Sequence, residues 1–228
     1  ALYGDSPGTV DVITPGVDRA FFSPGSRSGA RSALSLGTHP VLLFVGRIQP
    51  LKGLDVAVET LAALGRTDAV LLVVGGASGA EGEAELARVT ALAESLGVAH
   101  QIRFVAPQPH HLLATYYRAA DVVLVPSRSE SFGLVALEAS ACGTPVVATA
   151  VGGLLSLVDD GMNGFLVPER DGQLFASRVA QILADPHAAR LMSERAVQRS
   201  SGYSWQGAAR RMRRVVAEFA ARDLVLCS

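Results

Sequence analysis

Residues 126–147 read PSRSESFGLVALEASACGTPVV, and this stretch runs from a loop into a short apolar helix and on to a strand. The loop follows an apolar run and carries Glu130, and the chain turns at Phe132 and Gly133 into a helix that carries Glu138. The first turn of a helix has free backbone N–H groups and a partial positive charge, so a loop that enters a helix here is suited to hold an anion. Glycine at position 133 also allows a close approach of the backbone.

The two carboxylates of this stretch are eight residues apart. On one continuous helix they would point about 80° away from each other. We therefore place Glu130 in the loop and Glu138 about one and a half turns into the helix, where both can border one pocket. Carboxylates only accept hydrogen bonds, and sugar hydroxyls are suitable donors for them. The alternative is a solvated loop glutamate and a surface helix glutamate without a ligand.

The composition is that of a globular chain with a substantial core. Its 228 residues are 49% hydrophobic and carry a net charge of −1, which is ample apolar content for a folded domain. The charge balance argues against a nucleic-acid surface, and the Arg-rich cluster at residues 210–214 is predicted to be a solvated helix face. The apolar runs have the length of strands and fall far short of the roughly 18 residues of a membrane span.

The ends of the chain and its cysteines give two further expectations. The chain begins at Ala1 without Met or a signal-like segment, so we expect it to be the C-terminal part of a larger protein. Its two cysteines, Cys142 and Cys227, favour a reducing cytoplasm. We expect that location and leave open an attachment to the periphery of a membrane. Neither cysteine has a histidine nearby in sequence, which argues against a catalytic thiol.

Strand-length apolar runs alternate with helix-length segments from residue 41 onward. The runs are continuous rather than alternating, which is typical of strands buried on both faces. The predicted strands are Val41–Val45, Val70–Val74, Ile102–Val105, Val122–Val125, Val146–Ala148 and Phe165–Val167. The predicted helices are Leu54–Leu64, Glu81–Leu96, Pro109–Ala119, Leu134–Cys142, Leu154–Val158, Gln173–Ala184, Pro186–Ser200 and Trp205–Ala221. This order predicts an α/β fold with a Rossmann-like, doubly wound parallel sheet and helices on both faces.

We divide the chain into three parts. Residues 1–39 are expected to be an interdomain linker and the end of a preceding domain, with a short strand at residues 10–13 and a brief helix near residues 30–36. Residues 40–200 are expected to form the Rossmann-like, ligand-binding domain. Residues 201–228 are expected to form a C-terminal helix and tail.

The unusual loops of the chain follow the predicted strands, and ligands of such sheets bind outside the carboxyl ends of the strands. These loops are residues 46–53, 75–79, 106–108, 126–133 and 150–153. Lys52, in the first loop, is the single lysine among 20 basic residues. Its compact ammonium suits a phosphate oxygen, while the planar guanidinium of Arg47 can fork onto a diphosphate. The alternative is a surface lysine at the start of a helix.

Three other kinds of site are disfavoured by spacing. The glycines of residues 75–79 do not match the dinucleotide-binding pattern, and they follow the second strand of the series instead of the first. Gly53 follows Lys52 where the phosphate-binding loop of an ATPase requires Ser or Thr. The adjacent His110 and His111 do not share a helix face, so they are expected to lie exposed at a helix start rather than to bind a metal. We expect no metal site and no cofactor.

Taken together, these residues resemble the retaining glycosyltransferases of GT-B architecture, the group that includes sucrose-phosphate synthases, glycogen synthases and the mycothiol glycosyltransferase. The resemblance spans residues 9 to about 220. The motifs that carry it are Gly46-Arg47, Lys52-Gly53, the stretch from Ser129 to Glu138, Ala141–Ala148 and Gly152-Gly153. The resemblance implies that this chain is the C-terminal, donor-binding domain of two Rossmann-like domains that face each other across a cleft.

The resemblance also implies roles for individual residues. The expected catalytic residues are Arg47 and Lys52, which would stabilise the leaving diphosphate, and Glu130, which would accept hydrogen bonds from the donor sugar. Glu138 would bind the ribose hydroxyls. Further donor contacts are expected at Gly46, at the backbone of Arg103 beside the base, at Ser131, and at the amides of Phe132, Gly133 and Leu134.

The expected function is transfer of a sugar from a nucleotide-diphosphate sugar, with a UDP-sugar favoured, with retention of configuration and without Glu130 acting as a nucleophile. No cofactor and no divalent metal are expected. The resemblance places the acceptor site in an N-terminal domain, so this chain alone is expected to bind nucleotide without transferring sugar. Two alternatives stay open: an epimerase or phosphorylase of the same architecture, and a non-catalytic nucleotide-binding module. The acceptor, the sugar and the base are not given by the sequence.

Overall fold

The computed structural model describes residues 10–226, with side chains as far as Ala220. The strands in this part are β1 (Val41–Val45), β2 (Val70–Val74), β3 (Ile102–Val105), β4 (Val122–Val125), β5 (Val146–Thr149) and β6 (Gly164–Val167). The helices are α1 (Arg27–Ala33), α2 (Leu54–Leu64), α3 (Gly79–Ser95), α4 (Leu113–Ala119), α5 (Leu134–Ala141), α6 (Leu154–Leu157), α7 (Gly172–Ala184), α8 (Pro186–Ser200) and α9 (Trp205–Leu226). Short 3₁₀ turns at Ala99–Gln101 and His110–Leu112 precede β3 and α4.

The strands of the described chain form one parallel sheet in the order β3-β2-β1-β4-β5-β6. Val41 of β1 lies opposite Val70 of β2, and Leu42 of β1 lies opposite Val122 of β4. The chain therefore winds outward from β1 to β3, returns to the centre, and winds outward again from β4 to β6. The predicted Rossmann-like, doubly wound sheet is confirmed, and the point where the winding reverses lies between β1 and β4.

Two apolar cores cover the two faces of the sheet. On β1, Leu42 and Phe44 enter one core with α2 and α7, and Val41 and Leu43 enter the other with α4 and α5. Successive strand side chains point to opposite faces, so a strand covered by helices on both sides needs apolar residues at every position. This requirement explains why the strand sequences are unbroken apolar runs.

The predicted strand at residues 10–13 is wrong, because those residues have no regular structure. Val10 and Val12 are 77% and 68% exposed, so neither side chain contributes to the core. A strand is stabilised by a partner, and no strand of the described sheet pairs with this segment. The predicted helix near residues 30–36 begins earlier, at Arg27, because the hydroxyl of Ser26 caps it by accepting a hydrogen bond from the amide of Gly29.

The other helix predictions are confirmed apart from their ends. The helix predicted from Glu81 begins at Gly79, and the one predicted from Pro109 starts with a 3₁₀ turn. The last helix continues past Ala221 to Leu226. Differences of this size are usual at helix ends, where capping decides the boundary. Residues 1–9 and Cys227 lie outside the described residues, so the expectations for them are untested.

The segment before β1 packs closely on the sheet domain. Phe22 is fully buried, and the guanidinium of Arg118 on α4 donates hydrogen bonds to the carbonyl oxygens of Phe21 and Ser23. The guanidinium of Arg31 donates a 2.6 Å hydrogen bond to Asp121, just before β4. The described part of the predicted linker thus lies over the domain surface, while the division of the chain at residue 39 remains a prediction.

Helix α9 exposes an apolar stripe. Trp205, Met212, Val216 and Phe219 are each more than half exposed, and their spacing places them on one side of the helix. The arginines of residues 210–214 are exposed as well, as predicted. Among the described residues, no helix combines the length and the apolar character that crossing a membrane requires.

Candidate functional site

The loops after β1 and β4 meet at the reversal of the sheet. The amide of Arg128 donates a 2.9 Å hydrogen bond to the carbonyl of Leu51, joining the two loops directly. The ammonium of Lys52 donates a 2.8 Å hydrogen bond to Oε2 of Glu130. Two of the three predicted catalytic residues are thus in contact, although they lie 78 positions apart in sequence. Each is partly exposed, at 25% and 18% of its side chain, so a ligand can reach the pair.

Gly53 sets how closely the two loops approach. Its φ of +75° lies in the left-handed region, and a Cβ at this position would lie 2.2 Å from the carbonyl oxygen of Pro126. Any side chain would therefore push the Lys52 loop away from the Glu130 loop. The Lys52-Gly53 pair in the sequence thus combines a cation with the residue that allows its placement.

An ion-pair network around Arg170 binds the backbone at Pro126, where the Glu130 loop begins. The guanidinium of Arg170 donates hydrogen bonds to the carbonyl oxygen of Pro126 and to the carboxylate of Asp55, both at 3.0 Å. Asp55 also accepts a hydrogen bond from Arg88, which is held by the buried Glu85. Hydrogen bonding to Glu85 outweighs desolvation and raises the pKa of Arg88. Arg170 and Asp55 could not be predicted as part of this site, because nothing in their local sequence shows that the chain brings them together.

Gly152 and Gly153 support the loop of Glu130 from its other side. The amide of Gly153 donates a 2.9 Å hydrogen bond to the carbonyl of Glu130. Gly152 has φ +51°, and a Cβ there would lie 2.0 Å from the same carbonyl oxygen. The absence of side chains at the two glycines therefore allows the backbone of Glu130 to pack directly against them.

Arg47 lies beside a cavity of about 320 Å³ at the carboxyl ends of β1, β2 and β3. Gly46 and the glycines that follow β2 also line this cavity. The side chain of Arg47 is exposed. Among residues 10–226, no group forms a hydrogen bond or ion pair with its guanidinium. Arg47 therefore presents a free cation at the sheet edge that carries the Lys52–Glu130 pair.

The N-terminus of α5 adjoins the Glu130 loop. Gly133 is the N-cap, and no side chain caps the first turn of the helix. Ser131 and Leu134 are exposed, and the ring of Phe132 packs edge-on against Tyr203 at 5.7 Å between centroids. An uncapped first turn has free N–H groups that can bind an anion. Residues 131–134, where donor contacts are predicted, thus lie beside Glu130 at this helix N-terminus.

Glu138 lies inside the domain, so the surface-glutamate alternative is wrong for this residue. It is 6% exposed, its Oε2 accepts a 2.8 Å hydrogen bond from the hydroxyl of Tyr117, and its Oε1 lies 2.7 Å from Nε2 of His110. Burial, the charge of Glu138 and the hydrogen bond to it raise the pKa of Tyr117 well above its usual value. Tyr117 is thus a protonated donor. His110 is exposed in a 3₁₀ turn, as predicted, but its contact with Glu138 was missed.

Arg103 occupies the edge strand β3, where its backbone lies opposite Leu72 of β2. Its exposed side chain donates a 2.8 Å hydrogen bond to the carbonyl of Leu34. The strand continues for two more residues to Val105, so Arg103 lies slightly before the edge at which the loops gather. Its role beside a base remains a prediction.

A larger cavity, of about 570 Å³, lies at the opposite edge of the sheet. Cys142 contributes to its lining, and burial is the main cause that raises the pKa of this thiol to about 12. A thiol with that pKa stays protonated at neutral pH and is a poor nucleophile. This agrees with the prediction that Cys142 is not a catalytic thiol.

Comparisons with known proteins identify the family. The family model described as "Glycosyl transferases group 1" matches residues 26–199. The D-inositol 3-phosphate glycosyltransferase of Frankia alni is 48% identical over 216 residues, which are 92% of this chain and 53% of that protein. The chain spans about half the length of the curated relatives it matches.

Solved structures support the same assignment. Sucrose-phosphate synthase from Thermosynechococcus elongatus is 35% identical and superposes with a TM-score of 0.89, covering 97% of this chain and 55% of the other. Anabaena Alr3699/HepE, solved in complex with UDP and glucose, shares the fold at 24% identity, with a TM-score of 0.85 over 91% of this chain and 56% of the other. The six-stranded parallel sheet is thus that of a GT-B C-terminal domain. The chain belongs to the group 1 glycosyltransferase family.

Proposed function

We propose that this chain is the donor-binding domain of a retaining glycosyltransferase that uses a nucleotide-diphosphate sugar, with UDP as the favoured nucleotide. The observation that carries the proposal is the contact between Lys52 and Glu130 at the reversal of the sheet, beside the uncapped N-terminus of α5. A cation for phosphate and an acceptor for sugar hydroxyls meet there, as donor recognition requires. The preference for uridine follows from the sequence resemblance, which implies a UDP-sugar donor.

The diphosphate lies, in this proposal, between Arg47, Lys52 and the first-turn amides of α5. Negative charge grows on the β-phosphate as the bond to the sugar breaks, and two cations together with free N–H groups stabilise that charge. The hydrogen bond to Glu130 holds the ammonium of Lys52 in position for a phosphate. These groups supply the charge compensation without a divalent metal or a cofactor.

Glu130 accepts hydrogen bonds from the donor sugar and is not the nucleophile. Oε2 of its carboxylate already accepts a 2.8 Å hydrogen bond from the ammonium of Lys52, which makes this oxygen less available to attack carbon. Attack of the acceptor hydroxyl on the anomeric carbon, from the side on which the nucleoside diphosphate departs, then accounts for retention of the anomeric configuration without a covalent sugar–enzyme intermediate. Glu138 holds the ribose hydroxyls.

The acceptor site is proposed to lie in a second domain of the whole protein, because the longer relatives extend well beyond the part that this chain matches. The relatives in Frankia alni and Kribbella flavida carry the name D-inositol 3-phosphate glycosyltransferase. A phosphorylated polyol is thus the favoured acceptor class. The exposed apolar stripe of α9 is the proposed contact with that second domain.

The cytoplasm is the proposed location, since the buried Cys142 is a free thiol.

The proposal is tested by titrating the 228-residue chain with uridine, guanosine and adenosine diphosphates by calorimetry. We expect saturable binding of UDP in preference to GDP and ADP, weakened by Lys52→Ala and by Glu138→Ala. Arg66→Ala is the matched control, because Arg66 forms an exposed pair with Asp68 away from the site. Equal affinities of the wild-type chain and the Lys52→Ala variant would exclude the proposed phosphate site.

A further inference from the structure

The carboxylate of Glu138 is held at both oxygens by groups from one neighbouring segment. Tyr117 on α4 donates its hydroxyl hydrogen to Oε2, and Nε2 of His110, in the turn that precedes α4, lies 2.7 Å from Oε1. A single hydrogen bond would leave the carboxylate free to rotate about its last side-chain bond. Hydrogen bonds at both oxygens restrict that rotation and fix the plane of the carboxylate.

The two partners are themselves fixed by packing. Tyr117 is fully buried, and the buried ring of Phe22 packs against both the Tyr117 ring and the His110 ring, at 6.0 and 4.9 Å between centroids. Thr144 also binds this part of α4, because its hydroxyl donates a 2.7 Å hydrogen bond to the carbonyl of Tyr117. The position of the Glu138 carboxylate is thus determined by α4 and by the segment before β1, not by α5 alone.

The hydrogen bonds leave part of the carboxylate available. A carboxylate has about four lone-pair sites, two on each oxygen. Tyr117 and His110 use one site on each oxygen, so one site on each remains. The side chain of Glu138 keeps 8% of its surface accessible. Two acceptor sites on neighbouring oxygens match two neighbouring hydroxyls of one sugar ring, such as the 2′ and 3′ hydroxyls of ribose.

The network also adjoins the cavity at the carboxyl ends of β1 to β3. Leu113, one turn before Tyr117 on α4, lines that cavity together with Gln108, two residues before His110. A nucleoside in the cavity would therefore approach the segment that holds Glu138. The groups that fix the carboxylate and the surface that would receive the nucleoside are parts of one short stretch, residues 108–117.

We infer that Tyr117 and His110 are positioning residues that aim the Glu138 carboxylate at the ribose hydroxyls of the nucleotide and thereby set a preference for ribose over 2′-deoxyribose. This inference depends on the proposed function, since it deepens the role of Glu138 in that site. Neither residue needs to touch the ligand. Their effect is transmitted through the orientation of one carboxylate.

The test compares UDP with 2′-deoxy-UDP by calorimetry on the 228-residue chain. In the wild type, loss of the 2′ hydroxyl removes a hydrogen bond to a charged acceptor, and we expect UDP to bind about tenfold more tightly than 2′-deoxy-UDP. Tyr117→Phe and His110→Ala should weaken UDP binding while changing 2′-deoxy-UDP binding little, so the preference falls to about twofold. His110→Gln, which retains an N–H donor, should recover part of the preference.

Neighbouring residues provide matched controls. Tyr116→Phe removes a hydroxyl from the adjacent buried tyrosine, and His111→Ala removes the adjacent histidine, whose ring packs against Phe21. Both control variants should keep the wild-type preference for ribose. Because Tyr117 is buried and Tyr117→Phe can destabilise the chain, the exposed His110 variants provide the second, independent measurement.

The outcomes separate this inference from the proposed function. If the wild type prefers ribose and the Tyr117 and His110 variants keep that preference, the inference is overturned while the nucleotide site stands. The same holds if the wild type binds UDP and 2′-deoxy-UDP equally. If the wild type binds neither nucleotide, the proposed function fails and this inference fails with it.

Discussion

The amino ends of the parallel strands form one edge of the sheet and their carboxyl ends form the other, and both edges carry arginines, carboxylates and a cavity. The charged groups at the two edges have different partners. At the amino edge, Asp121 accepts hydrogen bonds from Arg27, from Arg31 and from the amide of Val41. At the carboxyl edge, Arg47 has no partner among the described residues, and the Lys52–Glu130 pair is partly open to solvent. Charges that satisfy one another hold the fold together, whereas a charge left free is available to a ligand.

Judged by cavity volume alone, the ligand site would be placed at the amino edge instead. The amino-edge cavity has a volume of about 570 Å³ and the carboxyl-edge cavity about 320 Å³. The charged groups at the larger cavity include Arg118, which is bound to backbone carbonyls, and Arg190, which pairs with Glu194. Cavity volume alone is thus a poor guide to this site, and the state of the charged groups is a better one.

The largest effect on stability is expected at the amino edge. Asp121→Ala should lower the free energy of unfolding by about 3 kcal/mol, because two arginines and one backbone N–H lose their acceptor. Thermal and urea unfolding measure this change, with Asp68→Ala in an exposed pair as the control. Binding of UDP by the folded variant should stay within about twofold of wild type, a free-energy change near 0.4 kcal/mol. A large loss of affinity would contradict the division between the edges.

The converse substitution is Lys52→Ala at the carboxyl edge. We expect UDP affinity to fall by about 10- to 30-fold, since a hydrogen bond between a charged donor and a phosphate contributes about 1.5–2 kcal/mol. The free energy of unfolding should change by less than about 1 kcal/mol, because the pair with Glu130 is partly solvated. Calorimetry and urea unfolding of the same samples measure both quantities. A loss of stability without a loss of UDP affinity would show that Lys52 stabilises the fold and does not bind the nucleotide.

Arg170 is expected to contribute both to the stability of the fold and to nucleotide binding. Arg170→Ala removes hydrogen bonds to Pro126 and Asp55, so we expect a stability loss of about 1.5 kcal/mol. The Lys52 and Glu130 loops should also separate slightly, which should weaken UDP binding by about threefold, or roughly 0.7 kcal/mol. Arg170→Lys should recover only part of both effects, because an ammonium cannot reproduce the fork of a guanidinium. Unchanged UDP affinity in Arg170→Ala would show that the network has no influence on the site.

The smallest expected effect is at Glu59 on α2. Burial, followed by repulsion from Asp55 and Asp171, raises the pKa of this carboxyl. The folded chain then binds a proton more tightly than the unfolded chain, so the ionised carboxylate costs stability as pH rises through the raised pKa. Glu59→Gln should stabilise the chain by ~0.3 kcal/mol at pH 7, allowing for solvent screening, and this gain should disappear near pH 4.

The matched control for Glu59 is the exposed Glu83 on α3. Glu83→Gln should leave the pH dependence of unfolding unchanged. Urea unfolding at pH 4 and at pH 7 tests both variants. A stabilisation by Glu59→Gln that is equal at the two pH values would show that the burial of the charge is not its cause.

The sheet could be predicted from the sequence because its strands are buried on both faces and therefore appear as unbroken apolar runs. The meeting of the loops that carry Lys52 and Glu130 could be predicted because the carboxyl ends of parallel strands gather at one edge, whereas the direct contact between the two side chains is seen only in the structure. The His110–Glu138 contact could not, because it depends on how a 3₁₀ turn places one exposed ring. The incorrect strand at residues 10–13 shows the same limit, since an apolar pattern does not reveal whether a pairing partner exists.

The nucleotide is proposed to bind at the carboxyl edge of the sheet, between the loops after β1 and β4. Hydrogen–deuterium exchange of the 228-residue chain, with and without saturating UDP, tests it most directly. We predict slower exchange in residues 46–53 and 126–138, and no change in residues 186–197 beside the larger cavity. Protection confined to residues 186–197 and the segment before β4 would contradict this placement and assign the nucleotide to the opposite edge.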